Sequence, residues 1–341
     1  MQIELVKPYS NKHKQPLIIM KRAKPKLSVV YNTYWKFAAE RQNIFFKRFS
    51  GESYPWTKDP ILKQHKFTNV YRASDRVSQY LIKNVIYKGS QKPEEVFFRL
   101  LLFKLFNRIS TWEFLEAELG KITFKDYSFK RYDKLLLELL NHKIPIYSAA
   151  YIMASGRSTF GYERKHQNHL KLIELMIKER VPYKLQQSKS MSEAYSLLHS
   201  YPTIGGFLAY QYVTDINYST LTNFSEMEFV KAGPGAKDGI AKCFKDFGDY
   251  SFEDIIRMMA DNQEYEFERL GLDFNTLWGR NLQLIDCQNV FCEVDKYSRI
   301  VHPQISGYSH RTRIKQKFTV QDKSPIEFYF PPKWGINHLI R

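Results

Sequence analysis

Apolar residues recur at spacings of three, four and seven through LSVVYNTYWKFAAERQNIFFKRFSG (27–51), with Tyr34, Phe37, Ala38, Phe45 and Phe49 on one side and Gly51 as a stop. The pattern predicts a helix. Arg41 and Arg48, seven apart, fall on one side of it. ILKQHKFTNVYRASDRVSQYLIKNVIY (61–87) reads as a second helical stretch. PEEVFFRLLLFKLFNRISTWEFLEAELG (93–120) carries Pro near its start, an acidic first turn and a terminal Gly, with Ser110 or Thr111 as the cap of a new helix at a bend. Helical periodicity returns at 128–141, 161–180 and 191–199. Strand-like alternation is scarce until KFTVQDKSPIEFYFPPKW (317–334), which is expected to be a short strand, an edge hairpin or an irregular tail. The expected class is mainly α, organised as a basic arm over 1–28, a helical body over 29–300 and a basic extension over 301–341.

Composition narrows the partners. The chain has 341 residues, 43% of them hydrophobic and 16% aromatic, enough for a well-buried core. Its 52 Lys and Arg against 35 Asp and Glu give a formal charge of +17, which favours polyanions and points to nucleic acid before membrane. A basic, merely solvated surface is the plainer explanation. Cys243, Cys287 and Cys292 form no CxxC pair or zinc-spaced cluster, so neither a disulfide framework nor a structural metal is expected. The first residues show no signal peptide, and no long apolar run suggests a membrane span.

Two polar stripes are candidate chemistry. His65, Asn69, Arg72 and Arg76 follow 4-3-4 spacing, which on a helix would gather two guanidiniums suited to phosphate on one face, or form an ordinary solvated face. Asp286, Asn289, Glu293 and Lys296 follow 3-4-3 spacing in a segment otherwise rich in apolar residues. Polar groups on a mostly buried helix need partners, so this stripe is either an acid/base site or a structural ion network.

Glycine marks two further places. KAGPGAKDGIAKCF (231–244) looks like a loop feeding a helix, yet GxxxxGK[ST] is absent and a P-loop kinase is not expected. HExxH, GxSxG, GxGxxG and the deaminase HxE with CxxC are absent as well. Upstream, HSYPTIGGFLAYQYVTDINYS (199–219) is similar to the hairpin of helix-hairpin-helix DNA glycosylases.

The ordered set ERQNIFFKR (40–48), PWTKDPILKQHKFTNVYRASDRV (55–77), LFNRISTWE (105–113), PTIGGFLAYQYVTD (202–215), AGPGAKDG (232–239) and CQNVFCEVDKY (287–297) resembles one family. It is the α-glutamyl/putrescinyl thymine pyrophosphorylases, amino acid:DNA transferases of phages and some bacterial genomes. They are related to the helical domain of 5-hydroxymethyluracil DNA kinases and to helix-hairpin-helix glycosylases.

The resemblance implies a glycosylase-like helical fold in a bacterial cytoplasm. The implied reaction brings an amino acid or polyamine amine onto the 5-methylene of pyrophosphorylated 5-hydroxymethyluracil in double-stranded DNA, after an upstream base kinase. Under it, Glu293, Asp286 and Glu226 are the candidate bases, with Asp215 a further competitor. Glu226 stands about twenty residues past the hairpin, where the glycosylase pattern has aspartate. Arg41, Arg48, Arg72, Arg76 and Lys296 would meet pyrophosphate or DNA phosphate, aided by loop amides at Gly205, Gly206, Gly233 and Gly235. Trp56, Phe67, Asn69 and Tyr210 would line the pocket for an extruded base. No metal site is expected; Mg²⁺ on the pyrophosphate is the candidate cofactor. The alternatives are a non-catalytic DNA-binding partner of the kinase and a glycosylase acting on a modified base.

Overall fold

The computed structural model describes residues 2–6, 17–320 and 327–340. Its elements run β1 (Gln2–Val6), β2 (Leu17–Lys21), β3 (Lys26–Leu27), α1 (Val30–Phe49), α2 (Pro60–Gln64), α3 (Arg76–Tyr80), α4 (Pro93–Phe106), α5 (Ile109–Leu119) and α6 (Phe129–Asn141). They continue with α7 (Arg157–Phe160), α8 (Lys165–Lys178), α9 (Val181–Gln187), α10 (Met191–His199), α11 (Gly206–Ile216) and α12 (Pro234–Cys243). β4 (Phe244–Asp246), α13 (Phe252–Asp261), α14 (Gln263–Arg269) and α15 (Leu284–Val301) complete the order. The protein is mainly helical. Strand among the described residues is confined to two antiparallel pairs, β1 with β2 and β3 with β4.

Chain contacts divide the molecule into two compact units: Met1–Val70 with Ala232–Asn275 and Asp286–Lys323, and Tyr71–Lys231 with Thr276–Ile285 and Ser324–Arg341. In the first unit α1 is central. Tyr34 packs against Phe291 and Trp35 against Phe267, with ring centroids 4.6 and 5.1 Å apart, and both side chains are fully buried. In the second unit α4 is buried from Val96 to Phe106 and packs against α5, α8, α9 and α11. A helix apolar on every side has to be enclosed, and the sequence LLLFKLF leaves it no solvent face.

Boundaries follow local chemistry. Gly51, at φ 75°, ends α1 as expected. The bend in 93–120 comes earlier than Ser110 or Thr111: Asn107 turns left-handed at φ 48°, its N–H donates to the Phe103 carbonyl, and α5 starts at Ile109. Thr111 Oγ1 instead donates to the Ile146 carbonyl at 2.9 Å. The expected tail strand is not formed among the described residues; Lys317 makes one isolated bridge to His65, and 327–340 carry only short 3-10 turns. The middle of that segment, 321–326, lies outside the described residues.

Two larger departures bear on the site. The stretch 61–87 is not one helix: α2 stops at Gln64, His65 is extended, 72–74 form a 3-10 turn, and α3 continues into a π-helical turn over Leu81–Ile86. The 4-3-4 stripe of His65, Asn69, Arg72 and Arg76 therefore does not share a helical face. The GPGAKDG segment is not a loop. Gly233 is the N-cap of α12, Pro234 takes its first position, and Gly235 and Gly239 lie inside the helix. A Cβ on Gly239 would stand 2.7 Å from the Phe291 carbonyl carbon, and one on Gly235 would stand 3.1 Å from Cys292 Sγ. These glycines let α12 lie directly on α15.

Candidate active site

In the first unit, the stripe on α15 meets the non-helical segment that ends at Val70. Glu293 Oε2 accepts the Thr68 backbone N–H at 3.0 Å and pairs with Lys296 Nζ at 2.7 Å. Asn289 Nδ2 donates to the Asn69 carbonyl at 2.8 Å and to Thr68 Oγ1 at 3.1 Å. From α1, Arg41 donates to the Thr68 carbonyl at 2.9 Å through Nε and to Asn69 Oδ1 at 2.6 Å through Nη2. Side chains from two helices thus take the hydrogen-bonding groups of 67–69 that a helix would have satisfied internally. That is why a segment with helical spacing stays open.

Aromatic rings back this cluster. The Lys296 ammonium lies 4.7 Å from the centroid of the Phe67 ring, which packs against Phe37 and Tyr297. Tyr297 donates to Asp59 Oδ2 at 2.5 Å, and the other oxygen of Asp59 caps α2 through the Ile61 and Leu62 amides. Glu293 is buried, but its two polar contacts fall on one oxygen; Oε1 has no hydrogen-bond partner among the described residues. The arrangement is a buried carboxylate beside a lysine, with its second oxygen outside these contacts.

Other expected residues are placed differently. Asp286 is buried in the first turn of α15, on the face of Asn289 and Glu293. Arg48 is exposed with its guanidinium 5.0 Å from the Trp56 ring centroid, and Trp56 Nε1 donates to the Glu52 carbonyl at 2.7 Å. Arg41 is buried on the Phe67 and Thr68 carbonyls and the Asn69 side chain, so its guanidinium shapes the segment.

In the second unit, Arg72 is buried and pairs with Asp215 at 2.7 Å; Lys104 reaches the other oxygen of Asp215 at 3.1 Å. Burial alone would raise the Asp215 pKa, but Arg72 and then Lys104 outweigh it and hold the carboxyl below its ordinary value. Burial, set against Asp215, leaves the Lys104 pKa lowered. Glu226 forms an ion pair with Arg280 at 2.8 Å, and that guanidinium lies 3.9 Å from the Trp334 ring centroid. Tyr210 is buried in α11 against Phe229. Arg76 is exposed.

Gly205 is the N-cap of α11, with open space where a Cβ would stand and no side-chain cap on the first-turn amides. Gly206 instead faces the Tyr195 hydroxyl, which a Cβ would approach to 2.9 Å.

The model of the helical domain of 5-hmdU DNA kinases matches residues 28–307. The chain belongs to this family. The 5-hmdU DNA kinase of Bacillus phage SP10 is 28% identical over 286 residues, covering 79% of this chain and 45% of the phage protein. The chain therefore spans under half the length of that relative. No solved structure matches it.

In this helical domain, sequence reading missed the anchor behind the site. Asp295 binds Lys242 of α12 at 2.9 Å and Arg299 at 2.5 Å, all within the first unit, and Asp295 and Lys242 are almost wholly buried. With Gly239 against Phe291, this cluster fixes α15 and hence the height of Glu293. The sequence signal was present: Asp295 and Arg299 are four apart in a helix of apolar neighbours. A cavity of about 490 Å³ bordered by Phe244, Lys245, Phe247 and Tyr308 contains none of these residues. Among the described residues, no three His, Cys, Asp or Glu side chains gather to hold a metal, and no helix is long and apolar enough to cross a membrane.

Proposed function

We propose that this chain acts in thymine hypermodification, transferring an amine to pyrophosphorylated 5-hydroxymethyluracil in DNA. The incoming nitrogen forms a bond to the 5-methylene carbon while the carbon–oxygen bond to pyrophosphate breaks, and the leaving group departs with the electron pair. The ammonium of the donor must lose a proton to become nucleophilic; Glu293 Oε1 is the acceptor in this reading, with Asp286 and Glu226 as the alternatives. Lys296 is held within 2.7 Å of the same carboxylate and would meet charge on the departing pyrophosphate, with the exposed Arg48 of the same unit available to phosphate. Arg41 sets the 67–69 segment within the first unit, and Arg72 holds the Asp215 cluster within the second. Mg²⁺ bound to pyrophosphate oxygens would add charge neutralisation.

The observation that carries the reading is the Glu293–Lys296 pair beside the open 67–69 segment, within a chain of the kinase-associated helical family. Phe67, Trp56 and Asn69 in the first unit are the proposed surroundings of an extruded base. Gly205, Gly206, Gly233 and Gly235 mark the helix starts proposed to lie near DNA phosphate. The test is mass spectrometry of nucleosides after incubating pyrophosphorylated DNA with candidate amino acids and polyamines. An amine-bearing thymine with release of pyrophosphate supports transfer.

A second reading is favoured by the family match itself: the matched domain is named for a kinase, so the chain would bind and present hydroxymethyluracil DNA without chemistry of its own. DNA binding with no product in any donor would select it. Release of free base would select a glycosylase.

A further inference from the structure

Ile152 is 75% exposed, more than any other large hydrophobic residue described. A lone exposed isoleucine is ordinary on a flexible tip, but its neighbours in the second unit are fixed. Tyr151 adopts φ 57°, a left-handed conformation costly for an aromatic residue, and its ring stacks on Phe207 in the first turn of α11 at 5.9 Å and 16°. The Lys104 ammonium lies 4.7 Å from the centroid of the same ring. On the other side Met153 is buried, with the Tyr212 hydroxyl 2.8 Å from its sulfur, and the Ala154 carbonyl accepts from His169 Nε2 at 2.9 Å.

The chain on both sides of Ile152 is thus anchored and its side chain is held outward by the backbone. The loop also adjoins the turn between α10 and α11. A Cβ on Gly156 would stand 3.1 Å from Thr203 Cγ2, and Thr203 itself is left-handed at φ 69°. The turn ends at Gly205, ahead of the uncapped amides of α11, and the exposed Arg157 and Arg164 follow the loop. A rigid apolar point beside helix-start amides and guanidiniums matches the two faces of a duplex step: an apolar base stack bounded by phosphates.

We propose that Ile152 is a wedge that enters the base stack of duplex DNA as a nucleotide leaves it. This rests on the reading that the chain acts on a base in DNA. It assigns Ile152 as a positioning residue, since it would touch the bases left behind.

The test uses the full chain and a duplex carrying 2-aminopurine next to pyrophosphorylated 5-hydroxymethyluracil, read by fluorescence for unstacking and by anisotropy for binding. Wild type and Ile152→Leu are expected to raise 2-aminopurine emission. Ile152→Ala is expected to lower that rise about fivefold or more while changing duplex affinity by less than about threefold. Binding with equal emission from wild type and Ile152→Ala overturns the wedge and leaves the DNA reading intact. Failure of wild type to bind the duplex overturns both.

Discussion

Gly239 in α12 and Phe291 in α15 meet backbone to backbone: a Cβ on Gly239 would overlap the Phe291 carbonyl and stand 3.1 Å from its Cα. Nothing flexible can give way there, so Gly239→Ala must push the helices apart. The expected cost is about 3 kcal/mol or more, against less than about 1 kcal/mol for Gly205→Ala, where the space is open. Urea denaturation of the two variants checks the contrast. Equal losses would contradict the assignment of Gly239 to close packing.

Asp215 pairs with two buried cations, Arg72 and Lys104, one on each oxygen. Asp215→Asn keeps the shape but removes the carboxylate that pairs with both cations, and it should destabilise the fold by about 3–5 kcal/mol. If the variant keeps wild-type stability yet loses product formation, Asp215 belongs to the chemistry and not to the scaffold.

His169 provides a pH dependence. It is buried, its Nδ1 faces the Tyr147 hydroxyl at 2.9 Å and its Nε2 the Ala154 carbonyl, and burial lowers its pKa from 6.5 to about 4. The unfolded chain therefore takes up a proton between pH 6.5 and 4 that the folded chain resists. Its contribution is present above 6.5 and is lost as pH falls through about 4, a change of roughly 3 kcal/mol. Stability measured against pH for wild type and His169→Gln should show a shallower acid slope in the variant. Parallel curves would remove His169 as the source.

Much of this was legible in sequence where the interactions are local. The period of apolar residues and the Gly51 stop gave α1 closely, the 128–141 and 191–199 patterns became α6 and α10, and the 3-4-3 stripe does lie on one helix. The segment 65–70 was misread because its backbone partners come from elsewhere: Arg41 is 27 residues from Thr68, and Glu293 is 225 residues away. Periodicity carries no trace of such partners. GPGAKDG was misread for the opposite reason. Glycine normally breaks helices, and the neighbours on α15, Phe291 for Gly239 and Cys292 for Gly235, explain why two of them are kept inside one.

The central claim is that Glu293 takes the proton from the amine. Glu293→Gln keeps an oxygen for the Thr68 amide but greatly weakens a base. The decisive measurement is mass spectrometry of nucleosides formed from pyrophosphorylated DNA and donor amine by wild type and Glu293→Gln, at matched DNA binding. The account predicts modified thymine from wild type and a loss of at least about a hundredfold in rate for the variant. Undiminished product from Glu293→Gln with DNA binding intact would contradict it.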